Sequence, residues 1–217
     1  MKKNSLLTII AAAGVGERFR CKTPKQYAQI NGRSIIERAL KPFIDSSYVS
    51  EIIIAISKDD NLIQSQDFYN SKKIKYVIGG ATRQESINNA LHAAEKKYEY
   101  VITHDAARPN ITEDDIANLY KDISNSKTSC SFLYTPVYDS IKEIDSKEQT
   151  KDKSKFYLVQ TPQISNFNDL KIALKKCIDE NINCPDESFA IEYSDLTLSK
   201  VMGARSNIKI TEPEDVE

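Results

Sequence analysis

The stretch Ile52-Ile53-Ile54-Ala55-Ile56 has no polar side chain on either parity. Successive residues of a strand point to opposite sides, so a strand built from it needs cover on both faces. That requirement points to a sheet with helices above and below. The surrounding pattern agrees. Residues 6–10, 74–78, 100–103 and 131–135 read as further strands, and 156–159, 196–202 and 208–210 as later ones. Between them lie helix signals. Ser34 precedes 35–40 with Glu37 three residues on. Thr82-Arg83-Gln84-Glu85 forms a capping box, with Ile87, Leu91 and Ala94 on one face. Thr112 caps a helix through Ile116 and Leu119, and 168–178 and 187–193 follow. Strand–helix alternation predicts an α/β fold, a three-layer doubly wound, mostly parallel sheet, in one domain over 1–217.

One segment departs from that rhythm. Residues 137–144 have alternating strand character, and 145–155 are almost wholly polar. A protruding β-arm over about 137–155 is one reading, and a polar linker is the other. Pro213 stands where a helix could open.

Composition removes several function classes. No apolar run approaches the roughly 20 residues that span a bilayer. The basic start is followed only by the short apolar run 6–13 with no cleavage-like end, so that run reads as a first strand and the expected location is cytoplasmic. Net charge is −1, which offers no field for nucleic acid or an anionic membrane. The four cysteines, Cys21, Cys130, Cys177 and Cys184, show no Cys-x-x-Cys spacing, and the chain has two histidines. A structural zinc site is not expected, and the thiols read as reduced and structural.

The chemistry gathers where such sheets bind ligands, beyond the carboxyl ends of strands. After the first strand come Ala11-Ala12-Ala13-Gly14-Val15-Gly16-Glu17-Arg18 and Thr23-Pro24-Lys25-Gln26-Tyr27. Small residues allow backbone N–H groups close to phosphate oxygens, and Arg18 and Lys25 add fixed positive charge. Phe19 stands where a dinucleotide fingerprint needs its third glycine, and no Gly-Lys-Ser/Thr follows as a P-loop requires. Gly79-Gly80-Ala81-Thr82-Arg83-Gln84-Glu85-Ser86 follows the third strand, a close-approach turn leading into a helix N-terminus. His104-Asp105-Ala106-Ala107-Arg108-Pro109 follows the fourth. There Asp105 suits a metal or a ribose and Arg108 suits a substrate phosphate, while a buried Asp–Arg pair is the structural alternative. His104 reads as structural.

In this order the three segments resemble the 2-C-methyl-D-erythritol 4-phosphate cytidylyltransferases of the non-mevalonate isoprenoid pathway. The similarity runs from Leu7 to Glu214. His-Asp-Ala-Ala-Arg-Pro and Asn-Ile-Lys-Ile-Thr-x-Pro-Glu-Asp carry it most specifically. The resemblance implies a Rossmann-like nucleotidyltransferase fold and a homodimer joined through the β-arm. It implies CTP and methylerythritol phosphate as substrates and Mg²⁺ or another divalent cation as cofactor. Ala12, Ala13, Gly14, Val15 and Gly16 would wrap the triphosphate, and Arg18 and Lys25 would stabilise the transition state. Gly80, Ala81, Arg83 and Ser86 would complete the CTP site, with Asp105 and Ala106 near ribose and metal. Asp105, Arg108, Ser140, Lys153, Thr161 and Lys209 would surround the acceptor, Ser140 and Lys153 coming from the partner's arm.

Departures from the family pattern are local. Ala11 replaces a usual proline and Ala81 a common aspartate. Glu17 stands where a basic or polar residue is frequent. Ser140 replaces threonine and keeps the hydroxyl, Lys153 aligns with an arginine, and Pro185 with a threonine. Two alternatives use the same loop: a cytidylyltransferase acting on ribitol 5-phosphate, and a non-catalytic nucleotide-binding regulator.

Overall fold

The computed structural model describes residues 6–14, 19, 23–95, 98–144 and 149–216. In chain order the strands and helices are β1 (Leu6–Ala11), β2 (Gln29–Ile30), β3 (Arg33–Ser34), α1 (Ile35–Asp45), β4 (Val49–Ile56), β5 (Ile74–Ile78), α2 (Arg83–Ala93), β6 (Tyr100–Asp105), α3 (Glu113–Ser126), β7 (Cys130–Pro136), β8 (Ile141–Lys142), β9 (Thr150–Lys151), β10 (Tyr157–Asn166), α4 (Phe167–Asp179), α5 (Glu187–Tyr193) and β11 (Leu198–Met202). The central sheet has seven strands in the order β11-β7-β10-β6-β1-β4-β5. All neighbours are parallel except at β10, which runs antiparallel to both β6 and β7.

The isoleucine run behaves as its composition requires. Ile52 and Ile54 join one core layer with Leu6, Ile10, Ile36, Leu40, Phe43, Ile116 and Leu119, from β1, α1 and α3. Ile53 faces the other layer with Leu7, Ile9, Ile87, Leu91, Leu170 and Ile191, from β1, α2, α4 and α5. Each fully buried isoleucine contributes about 2–3 kcal/mol of transfer free energy, which favours burial of β4 on both faces.

The helix starts follow their caps. Ser34, Thr82 and Thr112 accept from the backbone N–H three residues on, and the last two complete capping boxes. Helix α1 continues through Pro42, which forfeits one backbone bond. Phe43 is fully buried there, and the Lys73 ammonium donates to the carbonyls of Phe43, Ile44 and Ser46 at 3.2, 2.8 and 3.0 Å. Burial plus a cation at the carbonyl end offsets the missing bond.

Three sequence expectations change. Strand β10 extends well past 156–159, through Gln160, Thr161, Pro162 and Gln163, and its ladder with β7 shifts register there. A proline inside a sheet is tolerated at such a bulge, and the polar side chains find buried partners, so the low apolar content of this stretch understated it. Among the described residues the 137–144 segment pairs at Ile141–Lys142, opposite Thr150–Lys151, and Glu143 N–H donates to Gln149 O at 3.1 Å. Residues 208–210 form no strand. They lie as a strap, with Ile210 N–H donating to Ala107 O at 2.8 Å and Arg108 to Asn207 O at 2.8 Å.

Candidate active site

Strand order locates the crevice. From β1 the chain moves to β4 and β5 on one side, then returns across β1 to β6 on the other. Connections that leave in opposite directions open a gap at the strand ends. Ala11 and Asp105 lie side by side there, and Ala106 N–H donates to Ala11 O at 3.2 Å. A cavity of about 210 Å³ occupies the gap. It is lined by Ala11–Gly14, Lys25, Gln26, Gly80–Arg83, Ser86, Asp105–Ala107 and Lys209. The three motif segments therefore share one site. Val15, Gly16 and Arg18 lie outside the described residues.

The wall formed by the first two segments is held by short contacts. Gln26 is buried and donates to Ala12 O at 3.0 Å, while Lys25 Nζ donates to Ile210 O at 3.2 Å. A β-carbon on Gly79 would sit 2.5 Å from the Ala13 methyl and 2.7 Å from Ser86 Oγ. Glycine is needed here for proximity. The Gly80 N–H donates to Ser86 Oγ at 3.1 Å, and those of Ala81 and Thr82 to the Glu85 carboxylate at 2.7 and 3.3 Å. The N–H groups of Gly80, Ala81 and Thr82 are thus engaged within the loop, which leaves its carbonyl oxygens to present to a ligand.

The third segment organises charge. Asp105 Oδ1 accepts from Arg83 Nε at 2.9 Å. Asp105 Oδ2 pairs with Lys209 Nζ at 2.8 Å and lies 3.7 Å from Arg108 Nε. Burial alone would raise the Asp105 pKa, yet Arg83, Lys209 and Arg108 hold it far below the ordinary carboxylate range. Arg83 also makes a two-pronged pair with the buried Glu187, at 2.6 and 3.1 Å. Burial opposes the Arg83 charge, but Glu187 and Asp105 together raise its pKa well above the usual value.

His104 is fully buried, and burial pushes its imidazole down to about 4, so it is neutral near pH 7. Its Nε2 lies 3.0 Å from Arg108 O, an acceptor only, so Nε2 carries the proton. Nδ1 then accepts from Thr161 Oγ1 at 3.0 Å, and the same hydroxyl accepts from Asp105 N–H at 3.2 Å. The Thr161 hydroxyl thus donates its hydrogen bond to His104.

A second cavity of about 440 Å³ adjoins the first. Lys209 lines both, and Arg108, Tyr138, Gln160, Arg205 and Asn207 line the second. Arg108 Nε is buried without a hydrogen-bond partner. Ser140 and Lys153 line neither cavity, and Lys153 Nζ donates to Tyr138 O at 2.6 Å. Sequence reasoning assigned no role to Gln26, Asn207 or Glu187. Gln26 stands inside a quoted motif. Asn207, which donates to Thr161 O at 2.8 Å, and Glu187 are linked to their partners only by the fold.

No three His, Cys, Asp or Glu side chains cluster to hold a metal among the described residues. Both Asp105 oxygens are taken by cations. The residues present therefore do not fit a protein-held metal at Asp105.

A doubly wound sheet with small residues after β1, a cation-rich switch point and two joined cavities fits the class of nucleotidyltransferases. The family model described as 2-C-methyl-D-erythritol 4-phosphate cytidylyltransferase matches residues 6–217. Proteins of that name from Haemophilus influenzae strain PittGG and Wigglesworthia glossinidia brevipalpis are 36% and 37% identical to this chain. The alignments cover 98% and 97% of it and 93% and 92% of those proteins. The crystal structure of the Francisella tularensis 2-C-methyl-D-erythritol 4-phosphate cytidylyltransferase superposes with a TM-score of 0.84 at 31% identity, over 98% of this chain and 97% of that one. The chain belongs to the 2-C-methyl-D-erythritol 4-phosphate cytidylyltransferase family.

Proposed function

We propose that this protein transfers CMP from CTP to 2-C-methyl-D-erythritol 4-phosphate, giving 4-diphosphocytidyl-2-C-methyl-D-erythritol and pyrophosphate. An oxygen of the acceptor phosphate forms a bond to the α-phosphorus, and the bond from that phosphorus to the β-phosphate bridging oxygen breaks. The observation that carries this reading is the pair of cavities meeting at Lys209, with Arg108 lining the second. A phosphate in the second cavity meets both cations and faces the nucleotide cavity.

The chemistry is mainly positioning and charge. Ala12, Ala13 and Gly14 cradle the triphosphate, with Val15 and Gly16 continuing the loop. Lys25, together with Arg18, offsets charge that builds on the α-phosphorus. Carbonyls around Gly80 and Ala81 suit the amino group of cytosine, since the N–H groups there are engaged. Asp105 holds Lys209 and Arg108 in register for the acceptor phosphate. A divalent cation such as Mg²⁺, supplied with CTP, would screen the charge of the polyphosphate.

The arm exposes Tyr138 and Ile144, and the base of β10 exposes Phe156, Tyr157 and Leu158. Such a patch fits a second copy of the chain, which would bring Ser140 and Lys153 to the acceptor cavity. No helix among the described residues is long and apolar enough to cross a membrane. That fact and the near-neutral charge support a cytoplasmic enzyme that does not bind nucleic acid.

Incubation with CTP, Mg²⁺ and methylerythritol phosphate releases pyrophosphate on this reading. Competition with equal ribitol 5-phosphate leaves methylerythritol phosphate the favoured acceptor. Lack of turnover by folded protein, or preference for ribitol 5-phosphate, overturns the assignment.

A further inference from the structure

Glu187 is the first residue of α5, buried, and outside the lining of either cavity. It accepts from both terminal nitrogens of Arg83 and, through Oε2, from Thr103 Oγ1 at 2.7 Å. The helix carrying it is tied down. Asp186 caps it through Phe189 N–H at 3.0 Å, and Ser188 N–H donates to Gln163 Oε1 at 2.7 Å. Arg83 donates its Nε–H to Asp105. The Nη1–Nη2 edge of Arg83 is therefore occupied by Glu187 and its Nε–H by Asp105.

We propose that Glu187 is a positioning residue for the transfer, clamping Arg83 so that it serves as a strut behind Asp105 and does not grip the CTP phosphates. Through Asp105 the strut sets where Lys209 and Arg108 meet the acceptor phosphate. Arg83 lines the nucleotide cavity, but with its Nη edge held by Glu187 it acts through Asp105 on the groups that meet the acceptor. Removing the clamp loosens the acceptor site while sparing the nucleotide site. The kinetic part of this inference rests on the cytidylyltransferase reading, whereas the clamp itself rests on geometry.

The test is Glu187→Gln in the full chain, which keeps shape and removes charge. The expected result is a tenfold or greater rise in KM for methylerythritol phosphate, with KM for CTP within about twofold of the parent. A purely structural role raises both KM values together, and that outcome, or no change in either, overturns the proposal. Nuclear magnetic resonance of the arginine Nη–H groups provides a readout independent of acceptor. In the parent the Arg83 Nη–H groups held by Glu187 are protected from exchange, and they lose protection in the variant. Retained protection overturns the clamp. If the parent turns over no methylerythritol phosphate yet the protection is lost in the variant, the functional reading fails and the clamp stands. Should Glu187→Gln not fold, Thr103→Val removes one leg of the clamp without unpairing a charge. It is then expected to raise the acceptor KM about threefold with CTP unaffected, and equal KM values for parent and variant overturn the proposal.

Discussion

Two walls of the site are built in different ways. The nucleotide side is walled by short segments that directly follow β1 and β5, and its closest contacts join small residues and backbone, as at Gly79 against Ala13. The charged wall where the two cavities meet is assembled from side chains far apart in the chain: Arg108 with Asn207, Asp105 with Lys209, and Arg83 with Glu187. A wall of local backbone is specified by residue size at a few adjacent positions. A wall of long-range ion pairs exists only after the sheet, α5 and the strap have docked, because each buried charge needs its partner in place.

The contrast can be broken experimentally, and the largest effect is expected at Lys25. Lys25→Ala is expected to lower kcat by a factor on the order of 100 to 1,000 while CTP affinity falls far less. Equal losses would instead make Lys25 a ground-state ligand. Next comes a pH effect centred on His104. Its folded pKa, about 4, lies below the ordinary 6.5, so the unfolded chain binds the proton first. Stability contributed by neutral His104 is complete above about pH 7 and falls as pH drops from 6.5 to about 4, by roughly 3 kcal/mol in all. Asp105, with its pKa depressed, loses its contribution only at lower pH, below the ordinary carboxylate value. Denaturant unfolding of the parent and of His104→Gln across this range checks it, since the variant lacks the slope between pH 6.5 and 4.

Gly79→Ala comes third. The added carbon meets Ala13 and Ser86 at 2.5 and 2.7 Å, so about 1–3 kcal/mol of stability is lost and KM for CTP rises, with acceptor KM little changed. Asn207→Ala, on the opposite side, removes the donor to Thr161 O and should lower stability by about 1–2 kcal/mol while raising acceptor KM. The smallest effect belongs to neither wall. Lys41→Ala breaks the exposed pair with Asp45 at 2.7 Å, and thermal unfolding should move by no more than about 0.5 kcal/mol.

Legibility followed the same division. The isoleucine run and the Thr82 and Thr112 caps were readable because each depends on neighbours within four residues, and the glycine pair was readable as a turn although the contacts that require it reach Ser86 and Ala13. The length of β10 was not, since Gln160, Thr161 and Gln163 look like loop until their buried partners are known. Residues 208–210 resemble a strand by composition, but β11 and β7 already close that side of the sheet and Ala107 takes the Ile210 N–H. The Asp105–Arg108 pair was foreseeable as an ion pair. Its third and fourth members, Lys209 and the Arg83–Glu187 strut, were not, since no spacing relates them.

By itself the sequence determined a two-faced buried sheet, the helix starts between its strands, and the placing of small and basic residues at the strand ends. Those are consequences of side-chain alternation, capping and steric size, all local quantities. Tertiary structure decided that β1 and β6 lie adjacent, so that Ala11 and Asp105 share a crevice. It also decided that one carboxylate binds three cations, that the Thr161 hydroxyl donates a hydrogen bond to a neutral His104, and that Arg83 turns its fork toward Glu187. The physical reason is desolvation: inside the protein a charge or polar group must be matched by whichever partner the fold delivers, however distant in the chain.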